Sequence, residues 1–143
     1  MKYLFYGNDT PSVHPINKEY IKIRDQRHLY DILSSLWSEY TCAPRMRKDW
    51  NENNKTLGQC SITAFLVQDI FGGEVYGVPL GDGNYHCFNK IGDIVFDLTS
   101  EQFGNIKLDY QNIILQSREV HFSKEEKYQR YLYLKDQLKK TLN

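Results

Sequence analysis

The stretch from Cys60 to Phe71 constrains the fold more than any other part of this chain. Ile62, Phe65, Leu66 and Ile70 recur at helical spacing on one face, and Ala64 and Val67 widen that face. A helix that is apolar around most of its circumference has to be enclosed by the rest of the molecule, so this one belongs at the centre of the fold. Gly72-Gly73 supplies its stop, in the manner of a left-handed cap. Three short β-like runs follow: Glu74 to Pro79, Asn84 to Ile91 and Ile94 to Leu98. Gly81-Asp82-Gly83 and Gly92-Asp93 separate them, and both are hairpin-turn chemistry. The spacing therefore predicts a buried helix packed on a small antiparallel sheet.

Helices flank this unit. Leu29, Ile32, Leu33, Leu36, Trp37 and Tyr40 predict a helix of roughly four turns from about Asp25, ended by Ala43-Pro44. Ser123 with Glu126 forms a capping box for a C-terminal helix from about Lys124, with Tyr128, Tyr131, Leu132 and Leu138 as its apolar stripe. Tyr20 to Ile23 alternates weakly and reads as a short strand, and Arg118 to Phe122 as another. Residues 41–58 read as a long polar loop carrying Arg45, Arg47, Lys48 and Trp50, of the kind that lines a site. Helices, a strand meander and a final helix make an α+β fold, expected as one domain over residues 1–143.

Lys plus Arg equals Asp plus Glu, 18 of each. That balance argues against a nucleic-acid binder that works through overall charge. The three cysteines, Cys42, Cys60 and Cys87, cannot all pair within one chain, and the N-terminal stretch to Asp9 holds too short an apolar run for a signal peptide. No stretch approaches a membrane span. A soluble protein of the cytoplasm, where thiols stay reduced, is the expectation.

Within this frame one constellation carries chemistry. Cys60 follows Leu57-Gly58-Gln59 at the mouth of the central helix. Free N–H groups and the positive dipole end at such a position favour a thiolate, the nucleophilic form. Downstream stand His86, in Tyr85-His86-Cys87-Phe88-Asn89, and Asp97, in Phe96-Asp97-Leu98-Thr99. If Ile91 and Ile94 flank a two-residue turn, residues whose numbers sum to 185 face each other. His86 and Asp97 then share a face as diagonal neighbours, roughly 7 Å apart at the backbone. Cys87 points the other way and is not expected to be the nucleophile. The layout is that of a cysteine nucleophile with a base and its orienter. Gly58 allows a tight entry into the helix. The Cys60 N–H is one oxyanion donor, and Gln59, Trp50 and Asn54 are candidates for a second.

Gly58-Gln59-Cys60 resembles the Gly-Gln-Cys-Trp nucleophile motif of transglutaminases. His86-Cys87-Phe88-Asn89 and Asp97-Leu98-Thr99 are similar to their His-x-Trp-Asn and Asp-x-Thr elements. The chain more closely resembles the small bacterial YunG-like proteins, from about Trp37 through Gly58-Gln59-Cys60, Gln68-Asp69 and Gly72-Gly73-Glu74 to Asp97-Leu98-Thr99 and Gln102-Phe103. The resemblance implies a papain-like or transglutaminase-like core with Cys60, His86 and Asp97 as a catalytic triad. Ser61 departs from it by replacing the tryptophan after the nucleophile, and the His-to-Asp interval leaves room only for a tight hairpin.

The expected function is acyl transfer or amide hydrolysis by a cysteine nucleophile on a protein, peptide or small amide, of protease, deamidase or transglutaminase type, with no cofactor. The alternative is a non-enzymatic binding module on the same scaffold that uses the 41–58 loop. Core packing accounts for Cys42 and Cys87, and packing or exposure for His14, His28 and His121. Cys42, Cys60, His86 and Cys87 contain no C-x-x-C pair, so no metal site is expected. Gly81-x-Gly83 lacks the following helix and lysine of a phosphate loop.

Overall fold

The structure is a computed structural model that describes residues 2–143. Helix α2, Cys60–Phe71, buries eight of its 12 residues and is the hub of the fold. Against one side lies a four-stranded antiparallel sheet of β1 (Glu74–Pro79), β2 (Tyr85–Ile91), β3 (Ile94–Phe96) and β4 (Ile114–Leu115), in the order β3-β2-β1-β4. Val75, Cys87 and Asn89 face the helix. Asn89 is 2% exposed and is tolerated there because its amide donates to Ala64 O at 2.9 Å. Against the other side lie α1 (Gln26–Ser34), α3 (Arg118–Phe122) and α4 (Glu125–Leu142). Phe65, Leu66 and Ile70 are fully buried at this centre, and each contributes roughly 1.5–3 kcal/mol.

Polar ties dock the outer helices on α2. Trp37 Nε1 donates to Thr63 Oγ1 at 3.0 Å. The Arg118 guanidinium reaches Phe65 O, the Gln68 side chain and, at 2.6 Å, Asp69 Oδ1, while the Tyr131 hydroxyl donates to the other Asp69 oxygen. These bonds explain two departures from the pattern. Arg118–Phe122 is a helix, not a strand, because Ser117 caps it by accepting from Val120 N–H and Arg118 is held over α2. The strand is the preceding Ile114–Leu115, paired with Tyr76 and Gly77 of β1. Helix α1 ends at Ser34 and not near Tyr40. The Ser34 and Ser35 hydroxyls donate to Tyr30 O and Ile32 O, and both the Leu36 and Trp37 N–H groups turn onto Leu33 O, which swings Trp37 inward.

Other segments also depart from expectation. Tyr20 and Ile23, each 1% exposed, reach the core from a 3-10 helix at Lys18–Tyr20 and the turn after it, so their spacing of three serves a turn and not a strand. Ser123 forms no capping box with Glu126. It is the C-cap of α3, its hydroxyl donates to Val120 O, and α4 starts after Lys124 without a side-chain cap. The α4 stripe is centred on Tyr131, Leu134 and Leu138, with Tyr128 and Leu132 partly buried at its margins. The 41–58 segment is not structureless: it folds into two 3-10 helices, Pro44–Asp49 and Glu52–Asn54. The Ala43 N–H closes it by donating to Gly58 O at 2.9 Å.

The hairpin follows the expected register, with Asn89 opposite Phe96, Lys90 opposite Val95 and Ile91 opposite Ile94. Gly92 has φ 61 and Asp93 has no positive φ, as in a II′ turn. Strand β3 stops at Phe96, and the N-terminal segment takes over: Asp97 N–H donates to Tyr6 O at 2.9 Å.

Gly58 has φ 70, and a Cβ on it would sit 2.6 Å from Cys42 Sγ and 2.9 Å from Ala43 N. Gly92 has a similar φ, but a Cβ there meets nothing within 4 Å. Gly58→Ala is expected to cost about 2–3 kcal/mol and Gly92→Ala about 1 kcal/mol. Urea unfolding of the two variants checks this; equal losses would mean that the 42–43 turn is not packed on Gly58.

Candidate active site

Cys60 is the first residue of α2, at the edge of the helix–sheet interface. No side chain caps this helix end, and among the described residues the N–H groups of Cys60, Ser61 and Ile62 have no hydrogen-bond partner. The partly exposed thiol opens into a cavity of about 540 Å³ that is also lined by His86, Gln102, Phe103, His121 and Lys127.

The parity of the hairpin brings His86 and Asp97 together. His86 Nε2 lies 2.7 Å from Asp97 Oδ2, and each residue is 1% exposed. A carboxylate only accepts, so Nε2 carries the proton and donates, which leaves Nδ1 as the ring nitrogen for the thiol. Asp97 has further donors. The Tyr110 hydroxyl reaches Oδ2 at 2.7 Å, and the Thr99 N–H reaches Oδ1 at 3.2 Å. Tyr110 is held in turn by stacking on Tyr6, with centroids 3.8 Å apart, and by its edge contact with Phe88. Phe103 stands perpendicular to the imidazole, with centroids 4.7 Å apart, and shields the His86–Asp97 bond from solvent.

These contacts set the charges. Hydrogen bonding from the Cys87 thiol holds Cys60 well below the usual thiol range, against the effect of burial; the His86 hydrogen bond and charge and the Cys87 N–H add to it. Burial works against the His86 imidazolium, but Asp97, by charge and hydrogen bond, and then Cys60 push its pKa up to about 10. Both shifts act in one direction, toward a thiolate beside an imidazolium. Cys87 is raised well above the ordinary thiol by its bond to Cys60 and by burial, and Cys42 is raised by burial. Cys87 does point away from His86, onto the α2 side, yet it is more than core filler, since Cys60 meets both residues.

The three candidates for a second oxyanion donor do not line the cavity. The Gln59 side chain is fully buried and donates to Ser38 O at 3.1 Å. Trp50 Nε1 donates to Lys55 O at 2.9 Å, inside the folded 41–58 segment that also holds Asn54 away. Nothing in the sequence marks Tyr110 or Lys127, Phe103 enters only through the family resemblance, and Cys87 and His121, expected as packing or exposed residues, stand beside the site. Tyr110 lies in irregular chain with no periodicity to mark it, and it reaches Asp97 only through tertiary packing. Among the described residues, no group of three or more His, Cys, Asp or Glu side chains is placed to hold a metal ion, and no helix is long and apolar enough to cross a membrane.

Iodoacetamide is expected to alkylate Cys60 far faster than Cys42 or Cys87, with a rate that levels off below the ordinary thiol pKa, checked by mass-spectrometric labelling against pH. A rate that rises tenfold per pH unit up to the ordinary thiol pKa would exclude the ion pair. Linkage gives a second signature. The His86 share of stability is full below its ordinary 6.5 and is lost as pH rises through about 10. The Cys60 share is full above its ordinary 9.0 and is lost as pH falls through its lowered value. The contribution of the pair is thus level between those two ordinary values and declines on either side, measurable as the pH dependence of the difference in Tm between wild type and Cys60→Ser.

Comparison with known proteins places the chain. Residues 25–143 match the sequence profile of the family described as YunG protein. The chain is 38% identical over 104 residues to the Bacillus subtilis protein named "Uncharacterized protein YunG", a match that covers 71% of this chain and 84% of that one. No solved structure matches it. With most of its length inside that profile, including Cys60, His86, Asp97 and the cavity around them, this chain belongs to the YunG family.

Proposed function

We propose that this protein is a cysteine-nucleophile enzyme of the papain-like or transglutaminase-like type, catalysing acyl transfer or amide hydrolysis with Cys60, His86 and Asp97 as its triad. The observation that carries the reading is the buried 2.7 Å bond from His86 Nε2 to Asp97, which leaves Nδ1 for the thiol at the head of α2. The motif likeness to transglutaminases adds to it.

The steps follow from the groups present. The Cys60 thiolate attacks a carbonyl or carboxamide carbon, and the C=O electron pair moves onto oxygen. The unpaired N–H groups of Cys60 and Ser61 face the end of the helix where that oxyanion develops. The His86 imidazolium gives its Nδ1 proton to the leaving amine, and the C–N bond breaks to leave a thioester on Cys60. Neutral His86 then takes a proton from water or an acceptor amine, which attacks the thioester and restores the thiolate. Asp97 holds Nε2 protonated throughout and stabilises the imidazolium. Water as acceptor makes a hydrolase or deamidase, and an amine makes a transglutaminase. The three free thiols, one of them activated, suit the reducing cytoplasm.

A substrate screen of peptides and amides, comparing wild type with Cys60→Ala, tests the reading. Turnover that persists in Cys60→Ala, or an unreactive Cys60, would leave the binding-module alternative in its place. Cys60→Ser is expected to abolish turnover and to lower Tm only by the pH-dependent share of its pairing with His86, since it creates little cavity at a partly exposed helix start. Asp97→Asn should lose activity and about 1–3 kcal/mol of stability. The Thr99 N–H retains the amide oxygen, so the amide NH2 faces His86 Nε2 and the Tyr110 hydroxyl, which forces the imidazole proton onto Nδ1. If Cys60→Ser melts far below wild type while Asp97→Asn does not, Cys60 is a core residue and the proposal fails.

A further inference from the structure

The cavity over Cys60 concentrates positive charge in a chain whose overall charge is zero. Arg45, Lys124, Lys127 and Arg130 line it against one carboxylate, Glu126. That carboxylate is already engaged: Arg130 donates to both of its oxygens, and Arg47 Nη2 lies 4.0 Å away. Arg130 is spent on this pair and on Thr41 O, at 2.9 Å. Arg45, Lys124 and Lys127 take part in no ion pair among the described residues.

Lys127 is the best placed of the three. It is partly buried, and Nζ lies 2.9 Å from His121 Nδ1. An ammonium only donates, so Nδ1 accepts and the His121 proton sits on Nε2, which donates to Gln116 Oε1 at 2.8 Å. Burial, with the Lys127 charge behind it, brings the His121 pKa down to about 4, so this histidine is neutral at pH 7. Lys127 is thus oriented by a group that does nothing to neutralise it. Its place in the first turn of α4, an end that favours anions, gives it no compensation either. The Cys60 and Cys87 sulfurs offset part of its burial, but Cys60 is already shared with His86, so this desolvated cation, open to the cavity that holds the thiol, can still take a full counter-charge.

We propose that Lys127, with Lys124 and Arg45 at the rim, is an anion subsite, and that the substrate carries a carboxylate close to the carbonyl that Cys60 attacks. The link to a reacting carbonyl rests on the acyl-transfer reading, whereas the anion subsite stands without it. A cavity of about 540 Å³ has room for a small acidic amide or for two or three residues of an acidic peptide.

Paired alkylating reagents test it. Iodoacetate and iodoacetamide differ in little but charge, and the ratio of their rates at Cys60 cancels the thiolate fraction. Relative to the same ratio for glutathione, wild type is expected to favour iodoacetate by about tenfold. Lys127→Met should remove most of that preference, Lys127→Arg should keep it, and 0.5 M NaCl should collapse it. A ratio equal to that of glutathione, or one untouched by Lys127→Met, overturns the subsite. NMR titration of the His121 ring in Cys60→Ala, with glutarate and with an acetylated tetraglutamate peptide, reads binding without the thiol and separates a small ligand from a peptide. Shifts that vanish in Lys127→Met support the subsite even if Cys60 resists both reagents, a result that would remove only the enzyme reading. No shift with either ligand overturns the subsite.

Discussion

A carboxylate taken out of water has to be met by donors, and the site is organised around that requirement at Asp97. At 1% exposure its charge would be prohibitive alone. His86 and Tyr110 on one oxygen and the Thr99 N–H on the other satisfy it. That arrangement keeps His86 protonated, which in turn favours the Cys60 thiolate. The charge state of the thiol therefore depends on a group two contacts away, and Phe103, Tyr6 and Phe88 matter because they keep water from weakening the chain of bonds.

The central helix serves the same end by different means. Its apolar circumference fixes it against the sheet, so its first residue falls against β2, beside His86 and Cys87. Its last apolar turn is tied to α3 and α4 through Asp69, Arg118 and Tyr131. Its N-terminus is left uncapped, an unusual choice for a buried helix, and the Gly58 turn over Cys42 shapes the approach. Foldability alone favours a serine or aspartate cap there. Leaving those N–H groups free costs some stability and keeps donors beside the Cys60 thiol.

Much of this was legible from residue spacing. The helix from Cys60 to Phe71, the strand from Glu74 to Pro79 and the two-residue turn between Ile91 and Ile94 follow from period and turn chemistry, and the parity of that turn is enough to set His86 and Asp97 on one face. Where polar side chains compete with the backbone, periodicity misleads. Ser34 and Ser35 end α1 beneath an apolar pattern that continues, Ser117 converts an apparent strand into α3, and Ser123 belongs to the helix before it and not to the one after. A hydroxyl can serve either neighbour, and which one it serves depends on where the next element docks.

The order Cys, His, Asp, the place of Cys60 at the start of the central helix and the hairpin register are local properties, written in residue type and in a period of two, so the sequence by itself determined them. The partners that give those residues their charge come from distant parts of the chain: Tyr110 over Asp97, Phe103 over His86, Lys127 and His121 in the cavity of Cys60. None has a spacing relation to the residue it touches. Only the packing of irregular chain and of α3 and α4 around α2 brings them within bonding distance, and proton affinity is set by what lies within a few ångströms in space, whatever the separation along the chain.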